Sequence, residues 1–384
     1  MSLRILAYFL PQFHECPYNS EWWGQGFTEW DNVRKARPLR KDHHQPRVPS
    51  EGEFDLLSVS EMERQFSQAR SAGIDAFVFY HYWYNGDRPL GRPFDLLLDS
   101  PEADIRFSLC WANHSWTRTW RNRRGSLDVL IEQTYGQNMA EREKHYAYLA
   151  RAFADHRYTK IDNSPFFQIY IPEEVDNLSR YCDELRNFCI RENGIAPHIA
   201  GTVRKGSANL DYLGAFDSVT LAQPTLGLFG PDDVFAQRPI EPTFWLQLRS
   251  KLLDLPLPLR RIIYSIQDLL PKKPAWHDYD QVWQHILTQS RHAVDAAPKP
   301  LNLTGFVDFD NTPRYKKSAR VMDGFSPNKF EGYMRDLSQL ACKTENQLLL
   351  INAWNEWGEG MHLQGDTLWP TQRLDAVRRV SNAG

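Results

Sequence analysis

The chain has 384 residues, of which 42% are hydrophobic and 24% charged, a balance typical of a globular protein with a large core. A formal net charge of −3 gives no electrostatic basis for binding nucleic acid or an anionic membrane surface. An apolar run of about 18 residues, as a transmembrane helix requires, occurs nowhere in the sequence. These features exclude a nucleic-acid partner and a membrane span from our expectations.

The N-terminus and the cysteines predict where the protein works. The N-terminal stretch MSLRILAYFLPQFHECP has a short apolar run but no A-x-A-like cleavage site, so we expect no signal peptide. The five cysteines include no C-x-x-C pair, which argues against a disulfide framework and a zinc site. Cys182 and Cys189 are two helical turns apart and fit one helix face. We therefore expect reduced thiols, a cytoplasmic location and no metal or other cofactor.

Apolar runs and helical patterns alternate along the chain. Helices are predicted over 58–72, 138–155, 177–193 and 326–341, with a serine cap at the start of the first and glycines after the first and third. The predicted strands are 4–10, 75–83, 106–113, 165–171, 198–203, 216–223, 303–310 and 347–354. Eight near-continuous apolar strands separated by helices predict an α/β fold, a (β/α)8 TIM-type barrel. An open doubly wound sheet is the alternative, but no glycine-rich phosphate loop follows strand one.

One long segment interrupts the alternation of strands and helices. Residues 224–300 are rich in proline and contain helical patterns near 258–269 and 278–295. A connection of this length is usually functional or a packing appendage. We predict a single catalytic domain over 1–384, with 224–300 as an extended insertion between strands six and seven.

Polar and aromatic residues cluster after the predicted strands, which in a barrel is the catalytic end. Gln12 follows strand one, and Trp22 and Glu29 come soon after it. Sugar rings stack their C–H faces on aromatic rings, and their hydroxyls need polar partners. We expect the following residues to contact a sugar: His14, Trp30, His81, Tyr82, Trp83, Trp111, Asn113, His114, Asp308, Asp310, Arg314, Trp354, Asn355 and Trp357.

Each of these residue types also has a purely structural interpretation. A tryptophan at a strand end is commonly a core residue, and His81 and His114 could equally be buried structural histidines. One aspartate of the pair at 308 and 310 could cap a loop or pair with Arg314. A metal site is disfavoured because no H-x-H or H-E-x-x-H spacing occurs.

The stretch NAWNEWGEG places two glutamates directly after strand eight. Glu356 and Glu359 are three residues apart, so an extended strand would point them to opposite faces. Both reach one pocket only if the chain turns between them, and Gly358 and Gly360 permit such a turn. The alternative for both carboxylates is an ion pair with a nearby arginine.

Six motifs in order give the chain a family resemblance: AYFLPQFH, WWGQGFTEWDNV, FVFYHYW, CWANHSWTRTW, GFVDFDNTPR and NAWNEWGEG. The chain resembles the WbsX-like proteins over almost its whole length. These in turn resemble glycoside hydrolase family 99, the endo-α-mannosidases. The resemblance implies a (β/α)8 barrel and an enzyme that acts on a glycan, such as a bacterial surface polysaccharide of the O-antigen type.

The family 99 motif N-E-W-x-E-G implies roles for both glutamates. By resemblance, Glu359 would be the general acid/base at the leaving oxygen. Glu356 would remove the proton from the sugar 2-hydroxyl, so that O2 attacks the anomeric carbon and forms a 1,2-anhydro sugar, with net retention. The variable position is Gly358 here and histidine in the mannosidases, so mannose specificity does not carry over.

We therefore expect a retaining glycoside hydrolase or transglycosylase that acts on α-linkages of a bacterial polysaccharide. A glycosyltransferase that uses an activated sugar donor is the alternative, since WbsX-like proteins are often so labelled. The D-x-D letters at 308–310 are only a weak sign of it. A catalytically silent glycan-binding protein is a third hypothesis. The sugar, the linkage, endo or exo action and the oligomeric state stay open.

Overall fold

The computed structural model describes residues 3–117, 129–204, 210–235 and 273–383. Its central feature is a closed ring of parallel strands, in which each strand pairs with the next along the chain and the last pairs with the first. This closure confirms the predicted TIM-type α/β barrel. The strands are β1 (Arg4–Phe9), β2 (Ala76–His81), β3 (Phe107–Trp111), β4 (Ser164–Ile169), β5 (His198–Val203), β6 (Ser218–Leu221), β7 (Leu301–Phe306) and β8 (Leu348–Asn352).

Helices surround the barrel, and the predicted helices at 58–72, 138–155, 177–193 and 326–341 are present within two residues of those bounds. The expected caps are there too: Ser58 Oγ accepts from the Glu61 amide, and Gly194 ends its helix in a left-handed conformation with φ of 73°. The α-helices are α1 (Pro17–Trp23), α2 (Trp30–Lys35), α3 (Val59–Ser71), α4 (Arg92–Leu98), α5 (Met139–Phe153), α6 (Leu178–Asn193), α7 (Thr225–Phe229), α8 (Tyr279–Ala296), α9 (Thr312–Tyr315), α10 (Pro327–Ala341) and α11 (Gln372–Ser381).

Short 3-10 helices and minor strands lie in the loops. The 3-10 helices are Pro172–Glu174, Asp211–Ala215, Lys316–Ser318 and Trp357–Glu359. Minor strands pair as Trp116–Thr117 with Val129–Ile131, Ala275–Asp278 with Arg320–Asp323, Asn355–Glu356 with Met361–His362, and Lys160–Ile161 with β4.

The segment between β6 and β7 is described only in part. The helix predicted near 278–295 is α8, and its Trp283 stacks on Phe306 of β7 and on Tyr333 of α10, with ring centroids 5.2 and 5.4 Å apart. This helix therefore belongs to the layer that covers the barrel. The helix predicted near 258–269 lies outside the described residues, so the extent of an insertion at 224–300 stays a prediction.

Alternation of side chains along the strands divides the core in two. On β2, Val78 and Tyr80 point into the barrel, whereas Phe77, Phe79 and His81 point outward to the helices. The same period of two holds on the other strands, as parallel barrel geometry requires. Whether a residue occupies an inward-facing or an outward-facing position on its strand therefore decides whether its side chain reaches the barrel mouth.

The described residues include all five cysteines. Cys182 and Cys189 lie on the buried face of α6, as predicted, and all five thiols are free. Within the described ranges no helix combines the length and the apolar character that crossing a membrane requires.

Candidate active site

A cavity of about 470 Å³ opens at the C-terminal ends of the barrel strands. Its wall consists of residues just beyond the strand ends. Their side chains continue the series of positions that point into the barrel. These include Gln12 after β1, Tyr82 after β2, His114 after β3, Tyr170 after β4 and Arg204 after β5. The cavity is therefore where a barrel enzyme places its chemistry.

The turn expected after β8 is present. Asn355–Glu356 pairs in antiparallel fashion with Met361–His362, and the 3-10 helix Trp357–Glu359 joins them. Gly360 has φ of 65°, the left-handed region that glycine adopts without strain. Because the chain reverses here, Glu356 and Glu359 both line the cavity.

One arginine binds both glutamates. Arg314 Nη1 lies 2.8 Å from Glu359 Oε1, and Arg314 Nη2 lies 3.0 Å from Glu356 Oε1. A third carboxylate completes the group, since Arg314 Nε lies 3.0 Å from Glu29 Oε1. The ion pair considered as an alternative at the sequence level thus exists, and it lies inside the cavity wall.

This arrangement places three carboxylates around one guanidinium, with little water to screen them. The Arg314 and Glu356 side chains are 8% and 6% exposed, while that of Glu359 is 25% exposed. Burial raises the pKa of Glu356 to about 8; the charge of Arg314 opposes this rise, and the charges of Glu359 and Glu29 add to it. Gln12 Nε2 donates to Glu356 Oε1 at 3.2 Å. Burial therefore favours the protonated form of Glu356 within this cluster.

The absence of a side chain at Gly358 leaves room for this cluster. A Cβ atom at position 358 would lie 2.8 Å from Arg314 Nε and closer still to the Glu29 carboxylate. Contacts this short require the neighbours to move. A side chain at the variable position of the motif would therefore displace the ends of the Arg314 and Glu29 side chains from their ion-pair geometry.

Aromatic rings form one side of the cavity. Trp116 makes edge contacts with Trp22 and Tyr82, at centroid distances of 5.8 and 5.2 Å. Trp22, Trp116 and Tyr82 all line the cavity, as does Tyr80 deeper in the barrel. Such faces suit the apolar side of a sugar ring.

Of the residues expected to act on a sugar, only some line this cavity: Tyr82, His114, Arg314, Glu356 and Glu359. His81 and Trp111 are the last residues of β2 and β3 in the outward phase, and both pack against His145 of α5. Trp83 also stacks on His145, at 4.6 Å. These side chains therefore lie between the barrel and its helices, away from the cavity wall.

The side chains of Asn113 and Asn355 form hydrogen bonds with backbone groups. The Asn113 side chain donates to the Ile171 carbonyl and accepts from the Ile171 amide, both at 2.8 Å. Asn355 does the same with Leu10, at 3.0 and 2.8 Å. Each amide ties the loops after two strands together, and the Asn355 contacts hold the residue next to Glu356.

The remaining expected residues are buried under the loops. Trp30 and Trp357 pack on each other at 5.7 Å, and Trp354 Nε1 donates to Gln65 Oε1. His14 is 2% exposed, and burial lowers its pKa to about 4. The structure places Trp30, Trp354, Trp357 and His14 in the packing that supports the cavity.

The two aspartates of the D-x-D sequence are held by a buried arginine and by hydrogen bonds. Asp308 forms an ion pair with Arg47 at 2.7 Å, whereas Asp310 is hydrogen-bonded to His43 at 2.8 Å and accepts from Gln45. The Asp310 amide donates to the Glu359 carbonyl at 2.7 Å. The pair thus fixes the turn that carries Glu359. In the part of the chain that the structure describes, no three His, Cys, Asp or Glu side chains converge as metal ligands.

Several residues at the cavity were absent from the expected set. Some lie in the loop after β1, and the others continue the inward-facing positions of a strand beyond its end. The alternation of inward and outward side chains along a strand could therefore have identified most of them. They are Gln12, Trp22, Glu29, Trp116, Tyr170 and Arg204.

The sequence matches one family profile and is similar to two curated proteins. A profile of the family described as "Glycosyltransferase WbsX" matches residues 5–377. Two proteins named "Uncharacterized protein WxcX", from two strains of Xanthomonas campestris pv. campestris, are 29% identical over 395 residues. The alignment covers 98% of this chain and 49% of each relative, so the chain spans about half the length of these relatives.

Two solved structures share the fold. The GH99 endo-α-mannosidase of Bacteroides thetaiotaomicron matches with a TM-score of 0.56 at 10% identity, over 99% of this chain and 96% of that one. A structure described as "Glycoside hydrolase-like protein" matches with a TM-score of 0.57 at 13% identity, over 99% of this chain and 94% of that one. The barrel is thus similar to glycoside hydrolase barrels.

Proposed function

The chain belongs to the family described as Glycosyltransferase WbsX, and from this membership and the cavity we propose a retaining glycoside hydrolase or transglycosylase. Its substrate would be an α-linked bacterial polysaccharide of the O-antigen type. The observation that carries the proposal is the glutamate pair: Glu356 and Glu359 meet at one guanidinium, at the mouth of a barrel, beside tryptophan faces. We further propose that 1–384 forms one catalytic domain with 224–300 as its insertion.

In the proposed reaction Glu359 protonates the leaving glycosidic oxygen. Glu356 accepts the proton of the sugar 2-hydroxyl, O2 forms a bond to the anomeric carbon, and the bond to the leaving oxygen breaks. Water or an acceptor hydroxyl then opens the 1,2-anhydro ring, with Glu359 as base and Glu356 returning the proton to O2. Two displacements at one carbon retain the configuration.

The proton must be at Glu359 when the bond breaks, whereas burial favours the protonated form of Glu356. We propose that binding of the sugar moves the proton. Glu359 is the more exposed of the two carboxylates, so a bound sugar would displace more water from Glu359 than from Glu356. Arg314 contacts both carboxylates and can stabilise whichever is ionised.

The second candidate is transfer from an activated sugar donor, which the family description favours. Such a donor brings a diphosphate, and Arg204 and Arg314 are the cavity-lining cations among the described residues. On this hypothesis, the diphosphate would stabilise the fold in the absence of any glycan, whereas a hydrolase has no need of it.

The test uses the wild type, Glu359→Gln and Glu356→Gln with a panel of α-linked bacterial polysaccharides, and follows product mass. We expect fragments from the wild type only, with each variant at least about a hundredfold slower, since a positioned acid or base contributes about 10²–10⁴ in rate. Cleavage at the wild-type rate by Glu359→Gln would refute the assignment. No cleavage, together with thermal stabilisation by nucleotide sugars, would favour transfer.

A further inference from the structure

Arg204 differs from the buried arginines of this protein in its partners. Among the residues that the structure describes, four arginines are less than 9% exposed, and each is paired with a carboxylate at 3.0 Å or less: Arg47, Arg157, Arg314 and Arg373. Arg204 is partly buried in the cavity wall, and among the described residues no carboxylate pairs with it. Its Nε has no hydrogen-bond partner within that same part of the chain.

The surroundings of Arg204 hold its charge at the cavity without neutralising it. Its guanidinium lies 4.7 Å from the centre of the Tyr170 ring, whose face attracts a cation. His114 lies on the same ring, at a centroid distance of 6.4 Å. Burial, with a smaller effect of the Arg204 charge, lowers the pKa of His114 to about 4. At neutral pH the imidazole is therefore an uncharged hydrogen-bonding group beside a cation.

Strand phase explains why Arg204 points into the cavity. Ala200 and Thr202 of β5 face the barrel interior, and Arg204 follows them in the same phase. Burial raises the pKa of Tyr170, the charge of Arg204 lowers it, and the charge of Glu359 adds to the rise. Arg204 lines the same cavity as Glu359, the glutamate that is proposed to protonate the leaving oxygen.

We propose that Arg204 binds a carboxylate or phosphate group carried by the glycan itself, so that this site selects an acidic sugar next to the scissile bond. A partly buried cation without a counter-ion is costly, and a ligand that supplies the anion recovers this cost. His114 and Tyr170 offer neutral hydrogen bonds to the same group. This inference deepens the proposed function and rests on it for the identity of the ligand as a glycan.

The test compares binding of matched sugars to the whole chain by ligand-observed NMR. The probes are methyl α-glycosides of glucuronic, galacturonic and mannuronic acid, each beside its neutral parent, with uridine diphosphate as a further probe. The proteins are the wild type, Arg204→Gln, Arg204→Lys and the control Arg191→Gln. Arg191 also lies over an aromatic ring, at 4.9 Å from the centre of Phe188, but on the outside of α6.

We expect at least one acidic sugar to bind the wild type about tenfold more tightly than its neutral parent, as one charge-assisted hydrogen bond predicts. Arg204→Gln should abolish this ratio, and Arg204→Lys should restore part of it. Arg191→Gln should behave as the wild type.

Equal affinity for acidic and neutral sugars, or an undiminished ratio in Arg204→Gln, would overturn the inference. Binding of uridine diphosphate that is tighter than that of every acidic sugar and lost in Arg204→Gln would also overturn it, by assigning the cation to a sugar donor. Because binding is measured without turnover, failure of the cleavage experiment leaves this result interpretable.

Discussion

Arg314 and Glu359 form a 2.8 Å ion pair at the entrance of the cavity, although they are 45 residues apart in the chain. The same guanidinium holds Glu356 and Glu29, so the proposed catalytic pair shares one counter-ion. Three carboxylates and one cation cannot all be charged at low cost in a buried site. The protonation of this cluster therefore governs both its stability and the proposed chemistry.

Replacing Arg314 should destabilise the protein strongly. Arg314→Gln leaves Glu29 and Glu356 buried without their cation, and breaking such a pair costs about 3–5 kcal/mol. The loss should be larger at pH 8 than at pH 5, because the carboxylates can be neutralised by protons at the lower pH. Denaturant unfolding at both pH values measures this. Arg320→Gln, which removes a cation placed over Phe229 outside the cavity, is the control. A loss below about 1 kcal/mol for Arg314→Gln would contradict the account.

The contribution of Glu356 to the stability of the wild type should fall as the pH rises. The pKa of Glu356 is about 8 in the folded protein, against an ordinary value of 4.5, so the folded state binds this proton more tightly than the unfolded state does. Between about pH 4.5 and pH 8 the contribution of this group to the free energy of unfolding should decrease, by up to about 1.4 kcal/mol per pH unit. Below this window the stabilisation is fully present.

Glu356→Gln removes the titrating group, so the stability of the variant relative to that of the wild type should rise between about pH 4.5 and pH 8. Glu192→Gln, on the exposed face of α6, should keep the wild-type slope. Identical slopes for Glu356→Gln and the wild type would show that Glu356 carries no extra proton.

Adding one methyl group at Gly358 should disrupt the cluster. In Gly358→Ala the Cβ would press on Arg314 and Glu29, so we expect loss of glycan turnover and a destabilisation of about 1–3 kcal/mol, as overpacking costs. Gly332→Ala is the matched control, because a Cβ there meets nothing within 4 Å in the middle of α10. It should add about 0.5–1 kcal/mol of stability. Full activity of Gly358→Ala would argue against Arg314 as the shared counter-ion.

Replacing a tryptophan of the cavity wall should affect substrate binding, whereas replacing one in the layer behind it should affect stability. Trp22 lines the cavity, so Trp22→Ala should raise KM about fivefold, equivalent to about 1 kcal/mol of lost stacking, with little effect on folding. Trp111 is buried against Tyr181, so Trp111→Ala should cost about 3–5 kcal/mol of stability. Steady-state kinetics and thermal unfolding of both variants distinguish them. A raised KM for Trp111→Ala without destabilisation would reverse the assignment.

The sequence predicted the barrel and its functional end because apolar strand runs and helix caps are local patterns. It also predicted the turn at Gly358 and Gly360 from the spacing of the glutamates. It did not separate His81 from Tyr82, since neighbouring residues at a strand end differ only in the face to which they point. Applying the period of two would have excluded His81 and Trp111 and suggested Tyr170 and Arg204.

Other features of the site depend on contacts that no local pattern contains. Glu29 reaches Arg314 across 285 residues of sequence, and Arg47 reaches Asp308 across 261. Both ion pairs join the segment after β1 to the segment after β7. The D-x-D aspartates therefore read as ligand-binding residues in the sequence, whereas in the fold they hold the turn of Glu359.

The central claim is that Glu356 and Glu359 together cleave an α-glycosidic bond with retention. Proton NMR of the anomeric signals during digestion of a susceptible α-linked polysaccharide, with the wild type and Glu359→Gln, tests it most directly. The account predicts that the α-anomer of the new reducing end appears first with the wild type, and that no new signal appears with Glu359→Gln. A β-anomer as first product, or cleavage at the wild-type rate by the variant, would contradict it.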